Sequence, residues 1–130
     1  ESFCTRWIER RFKVAVHEQV RLGWLLETPS QRLGQDADFV WRTPEEIWVG
    51  DAKYKIARGD DWPRIEDVRQ LICYGQLAKR KYGITSSRLT ILHPTIDQES
   101  AEVVTTFDGQ PLVLQRVRVI RNDGDNQMGN

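Results

Sequence analysis

The period of the apolar positions changes along the chain, and each change predicts a new element. From residue 1 to about residue 21, Phe3, Trp7, Ile8, Phe12, Ala15 and Val16 recur at helical spacing with charges between them, and Gly23 offers a stop. This spacing predicts an amphipathic first helix. Trp24, Leu25 and Leu26 begin a less periodic stretch through Thr28, Pro29 and Ser30, read as a strand or extended segment. Residues 37–42 and 47–56 are rich in Val, Ile, Trp and Tyr, and Thr43, Pro44, Glu45 and Glu46 between them predict a hairpin.

A loop from Arg58 to Pro63 leads into a second helix that starts near Asp61 and Pro63 and ends at Gly83. Val68, Leu71, Ile72, Gly75, Ala78 and Tyr82 mark its packing face. Residues 89–93 form a short apolar strand closed by Pro94 near the sheet's edge, and residues 102–107 and 112–120 a second hairpin around Asp108 and Gly109. The order helix, strands, helix, strands predicts an α/β fold, a central mixed sheet flanked by helices. One domain is expected over residues 1–120, with a frayed polar tail over 121–130 and no internal repeat.

Length and composition agree with one packed domain: 130 residues, 39% hydrophobic and 29% charged, with five tryptophans. No apolar run approaches the roughly 20 residues that cross a bilayer, and the start lacks a signal-peptide pattern, so a soluble cytoplasmic protein is expected. The first residue is Glu1, which leaves room for a longer parent protein with a further domain. Cys4 and Cys73 form no CxxC pair or zinc spacing with histidines, and both are expected as buried thiols. The formal net charge of zero works against DNA binding, which draws on basic surface. Three local clusters supply positive charge: Arg6, Arg10, Arg11 and Lys13; Lys79, Arg80 and Lys81; and Arg116, Arg118 and Arg121. Each is also what a solvated face looks like.

The candidate chemistry lies in the first hairpin. Side chains two apart on a strand share a face, so Asp51 and Lys53 point to one place. Asp38 comes alongside from the neighbouring strand. Two carboxylates can share one divalent ion, with the Ala52 carbonyl and water as further hard ligands of the kind Mg²⁺ prefers. Lys53 can orient or deprotonate a water. Phosphodiester hydrolysis needs such parts: a cation at the phosphate, an activated water and a group that positions it. An exposed Asp–Lys ion pair, worth at most about 1 kcal/mol, is the plain alternative. Against it, Ile47, Trp48, Val49 and Gly50 put Asp51 at the end of a buried strand, where an unpaired carboxylate is expensive. Gln70 and Tyr74, four apart on the second helix, face the same way and can reach that site from above the sheet.

Two other patterns lead less far. His17 and Glu18 suggest a zinc protease, but no second histidine follows at the required spacing. His93 reads as structural, and Trp62, first of all a packing residue, can stack on a base.

The run from Asp38 in DADFVW through DAKYK at Asp51, then QLICY at Gln70 to Tyr74 and LTILHP at Leu89 to Pro94, resembles the nuclease domain of McrC-like proteins. These are cleaving subunits of modification-dependent restriction systems, within the PD-(D/E)XK superfamily. The resemblance implies a restriction-endonuclease-like fold and a Mg²⁺- or Mn²⁺-dependent DNA endonuclease. It also implies an NTP-driven partner, a GTPase of McrB type. By the same resemblance Asp38 and Asp51 are the acidic pair, Lys53 the lysine, and Gln70 and Tyr74 the motif of the RecB-like branch. Ala37 stands where proline is frequent in the superfamily. Its first helix often contributes a glutamate, and Glu1 and Glu18 are both candidates.

Nothing in the sequence resembles a P-loop or a reader of modified bases, so both tasks fall to other parts of such an assembly. The alternatives are a free-standing RecB-like exonuclease or nickase, and a non-catalytic nuclease-like domain used for assembly or DNA binding.

Overall fold

The computed structural model describes residues 3–53 and 63–118. The first helix, α1, spans Phe3–Phe12 and stops well short of Arg21. Lys13 adopts a left-handed backbone, φ 56°, which ends it. From there the chain is extended: Val14 and Val16 pack into one core and, past a left-handed Gln19 (φ 51°), Val20 and Leu22 into the other, while Ala15, His17, Glu18, Gln19 and Arg21 are exposed. The expected helix to Arg21 is therefore corrected. Phe12 and Val16 fit a helical period and a strand period equally, and β-branched valines settle the competition for the strand.

That strand, β1, runs Val16–Glu27 and pairs antiparallel with β2, Arg32–Arg42, around a turn closed by Thr28 and Gln31. β2 starts earlier than residue 37 because β1 supplies a partner for Gly34, Gln35 and Asp36, which carry little strand preference of their own. The hairpin to β3, Ile47–Ala52, is formed as the sequence predicts. Residues 54–56 of that expected strand lie outside the described residues, as do Asp61 and Trp62, most of the 58–63 loop, and residues 119–130.

Helix α2, Ile65–Tyr82, ends at Gly83, whose φ of 65° is the left-handed cap that glycine takes without penalty. It crosses to β4, Arg88–Thr95, and β5, Ser100–Thr105, then forms a hairpin with β6, Pro111–Arg118. Among the described residues the six strands make one mixed sheet of order β1-β2-β3-β4-β6-β5, with β3, β4 and β6 parallel and the outer pairings antiparallel. The chain is thus an α/β fold with two described helices.

The sheet order corrects one expectation. β4 lies between β3 and β6, so His93 is in the interior of the sheet, not near its edge, and is 7% exposed. The strand also continues through Pro94 to Thr95.

The two faces carry separate cores. Leu71, Tyr74 and Ala78 of α2 pack on Val40, Ile47, Val49, Leu89, Ile91, Leu112 and Leu114. Cys4 and Ile8 of α1 pack on Phe39, Trp41, Ala52, Leu92 and Val117. There the cross-strand pair Trp41 and Trp48 stacks at 5.4 Å, with Phe12 tilted against both rings. Cys73 is only half-buried, unlike Cys4, because its side of α2 turns partly outward. No helix among the described residues is long and apolar enough to cross a membrane.

Gly75 sets how closely α2 approaches the sheet. A Cβ there would meet Leu89 Cδ1 at 3.2 Å, and Leu89 is fully buried with little room to yield. Gly75→Val is expected to destabilise the fold by about 1–3 kcal/mol, the usual cost of overpacking. Urea unfolding measures this, and a variant as stable as the parent would show that the helix can move outward freely.

Candidate active site

β2 and β3 pair from Arg42↔Ile47 to Phe39↔Gly50, and their backbone ladder goes no further. At the next step a side chain replaces it: Asp38 Oδ2 accepts a hydrogen bond from the Ala52 N–H at 3.0 Å. In extended backbone a residue's N–H and C=O leave on the same side, so the Ala52 carbonyl also faces the β2 side. On the other side Lys53 N–H donates to Leu92 O at 2.9 Å and holds the end of β3 to β4. Asp38 and Asp51 come within hydrogen-bonding reach of each other.

Asp51 is 4% exposed and is the charged centre of the group. The Tyr74 hydroxyl donates to its Oδ1 at 3.4 Å, and Gln70 Nε2 donates to that hydroxyl at 3.0 Å. Lys53 Nζ stands 2.7 Å from Asp51 Oδ2 and 2.7 Å from Asp67 Oδ1. Oδ2 is buried and takes no well-directed hydrogen bond, so its contact with Lys53 is ionic. All five sequence-derived residues, Asp38, Asp51, Lys53, Gln70 and Tyr74, are therefore neighbours in one connected cluster, with Ala52 at its edge.

The cluster also includes residues that sequence reasoning missed. Asp67 bridges Lys53 to the start of α2, where its other oxygen accepts from the Arg64 N–H at 3.3 Å. The signal was present: Asp67, Gln70 and Tyr74 are spaced three and four apart and share one helix face. Gln19 Nε2 approaches Asp38 Oδ1 at 3.4 Å. Glu18 does not join the site. It lies on β1, exposed and in register with Phe39, whose side chain packs toward α1. The reason is the early end of α1, which puts Glu18 on a strand. Glu1 lies outside the described residues.

Burial, reinforced by the neighbouring Asp38 carboxyl, pushes Asp51 up to about 6 against the pull of Lys53. Burial works to lower the Lys53 pKa, but its bonds to Asp51 and Asp67 outweigh this and raise it, so the ammonium keeps its charge. Burial and the adjacent Asp51 raise Tyr74 well above the ordinary phenol range, which keeps the hydroxyl protonated as a donor.

A hard divalent cation fits this donor set. Two carboxylates converge, one with a buried oxygen lacking a directed hydrogen bond, and the cost of keeping Asp51 ionised, set first by burial and then by Asp38, appears as its raised pKa. Among the described residues no group of three or more His, Cys, Asp or Glu gathers as a ligand set. A Mg²⁺ ion would accordingly take its remaining ligands from the Ala52 carbonyl and from water, as that ion prefers.

No protein-family model matches the chain, and no curated protein matches it.

Asp51 gives a pH signature. A carboxylic acid whose folded pKa is raised binds protons more readily folded than unfolded, so stability falls as pH rises from near 3.8 to about 6 and then levels off. In chelator, Asp51→Asn is expected to flatten that slope and to be more stable than the parent at pH 7.5, by on the order of 2–3 kcal/mol. Urea unfolding from pH 4 to 7.5 checks it. A less stable variant at pH 7.5 would mean that the ion pair with Lys53 outweighs the cost of burying the charge.

Proposed function

We propose that this domain is a metal-dependent nuclease that hydrolyses phosphodiester bonds in DNA, with a restriction-endonuclease-like fold of the PD-(D/E)XK type. The observation that carries the reading is the convergence of Asp38, Asp51 and Lys53 where β2 leaves β3. Asp38, Asp51 and the Ala52 carbonyl would hold a Mg²⁺ or Mn²⁺ ion, which would supply Lewis-acid neutralisation of the phosphate and a lowered water pKa.

The chain's own groups divide the remaining work. Ala52 N–H fixes Asp38 through Oδ2, and Gln19 steadies Oδ1. Tyr74 donates to Asp51 Oδ1 and leaves Oδ2 facing Lys53. The Lys53 ammonium, kept protonated by its two carboxylate neighbours, places a fixed positive charge where negative charge develops on the phosphate and the attacking oxygen. Asp67 orients that ammonium from α2, so the helix and the sheet together set its position.

The resemblance to McrC-like nuclease domains extends the proposal to a cleavage module within a restriction assembly, delivered to DNA by an NTP-driven partner. The formal net charge of zero supports delivery by others, since a freely acting DNA enzyme leans on positive charge. Cleavage by the isolated chain without nucleotide would favour the free-standing nuclease instead.

Lys53→Met is expected to keep the fold and lower DNA cleavage at least about a hundredfold, the scale for losing a group that activates or positions the nucleophile. The assay is nicking of plasmid DNA with Mg²⁺ or Mn²⁺, with and without GTP and a motor partner. A variant that cuts at the parent rate removes Lys53 from the chemistry.

A further inference from the structure

Beyond the Asp38–Asp51–Lys53 group, three parallel strands end side by side with a nitrogen-bearing side chain at the same level on each. The pairs Asp51↔Ile91 and Ala52↔Leu92 bring Lys53 beside His93, and His93 is in register with Arg116. Register partners share a face of the sheet. Packing identifies which one: Leu89, Ile91, Leu112 and Leu114 belong to the core under α2, whereas Leu92 and Val117 belong to the core under α1. Alternation then sends His93, Arg116 and Arg118 to the α2 face with Lys53. The electrostatic neighbours of His93 agree, being Arg116, Asp67 and Lys53.

This row differs from the rest of its face. Along β4 and β6 the preceding positions are aliphatic and buried, and the change to His93, half-buried Arg116 and exposed Arg118 comes only at the C-terminal ends of the strands. Those ends are where open α/β sheets bind ligands. With strands about 4.8 Å apart, the row from Lys53 to Arg116 covers roughly 10 Å, beside and not within the carboxylate pair. Arginine offers a planar fork of donors that matches phosphate oxygens, and an imidazole N–H adds one more.

We propose that His93, Arg116 and Arg118 form a second phosphate subsite, which holds a neighbouring phosphate of the nucleic-acid strand whose scissile phosphate lies at Asp38, Asp51 and Lys53. The identity of the first phosphate rests on the nuclease reading above. The subsite positions the strand along the ends of β4 and β6.

The test compares thymidine 3′,5′-bisphosphate with thymidine 5′-monophosphate by titration calorimetry in Mg²⁺. The parent is expected to bind the bisphosphate at least about tenfold more tightly, the scale of one charge-assisted phosphate contact. Arg116→Gln should lose that preference, Arg116→Lys should keep part of it, and Lys79→Gln, on the last turn of α2, should keep all of it. In the parent itself the His93 ring nitrogen resonances should move on adding bisphosphate, a readout that needs no variant to fold. Equal binding of the two nucleotides by the parent, an unchanged preference in Arg116→Gln, or unmoved His93 resonances would each overturn the subsite. Plasmid cleavage by the parent separates the two ideas. If the preference depends on Arg116 but the parent never cuts DNA, the subsite stands and the nuclease reading falls. If the parent cuts and Arg116→Gln keeps its preference, the subsite alone falls.

Discussion

The hydrogen bond from the Ala52 N–H to Asp38 Oδ2 is the contact on which the site depends. A backbone donor at that point in a sheet ordinarily meets a carbonyl of the next strand. Here a carboxylate takes it, so β2 separates from β3 at the level where Asp51 and Lys53 emerge. The separation makes room between two strands that would otherwise close on each other, and it fixes one carboxylate at the opening. A buried N–H must be satisfied somehow, so the fold loses little by this exchange.

The same place concentrates charge. Asp51 and Asp67 hold one ammonium, Lys53, while Asp38 stands beside Asp51, and burial together with the Asp38 carboxyl raises the Asp51 pKa. Such a cluster is poor as a stabilising device, since burying charge costs more than a well-packed apolar core would. Under the proposed function the cluster serves as a site for a cation. Close packing makes the cluster rigid: Gly75 lets α2 settle against Leu89, and this brings Tyr74 and Gln70 down to Asp51. Core packing and site geometry are therefore set by the same helix position.

Local pattern made much of this legible. Asp51 and Lys53 two apart on a buried strand, the turn at Thr43 to Glu46, and the spacing of Gln70 and Tyr74 each specify a relation that the fold keeps. What the sequence hid had physical causes. The end of α1 fell where Phe12 and Val16 satisfy two periods at once, so Glu18 was assigned to a helix it does not occupy. His93 was placed near an edge because strand order is decided by long-range pairing, and nothing local to residues 88–95 says that β6 will lie beside β4. Asp67 was overlooked because an acidic residue in the first turn of a helix already has a role there, and it fills that role while also holding Lys53. The resemblance to McrC-like nucleases pointed to Asp38, Asp51, Lys53, Gln70 and Tyr74, and was silent on Asp67, Gln19 and the row at the ends of β4 and β6.

The central claim is that Asp38 and Asp51 act as one cation site and not as two separate carboxylates. Mn²⁺ titration calorimetry on the parent, Asp38→Asn, Asp51→Asn and the double variant tests it directly. One site per chain is expected in the parent, with each single substitution removing nearly as much affinity as the pair together, because losing either anion dismantles the same site. Parent-like Mn²⁺ affinity in Asp38→Asn, or fully additive losses in the double variant, would contradict the account.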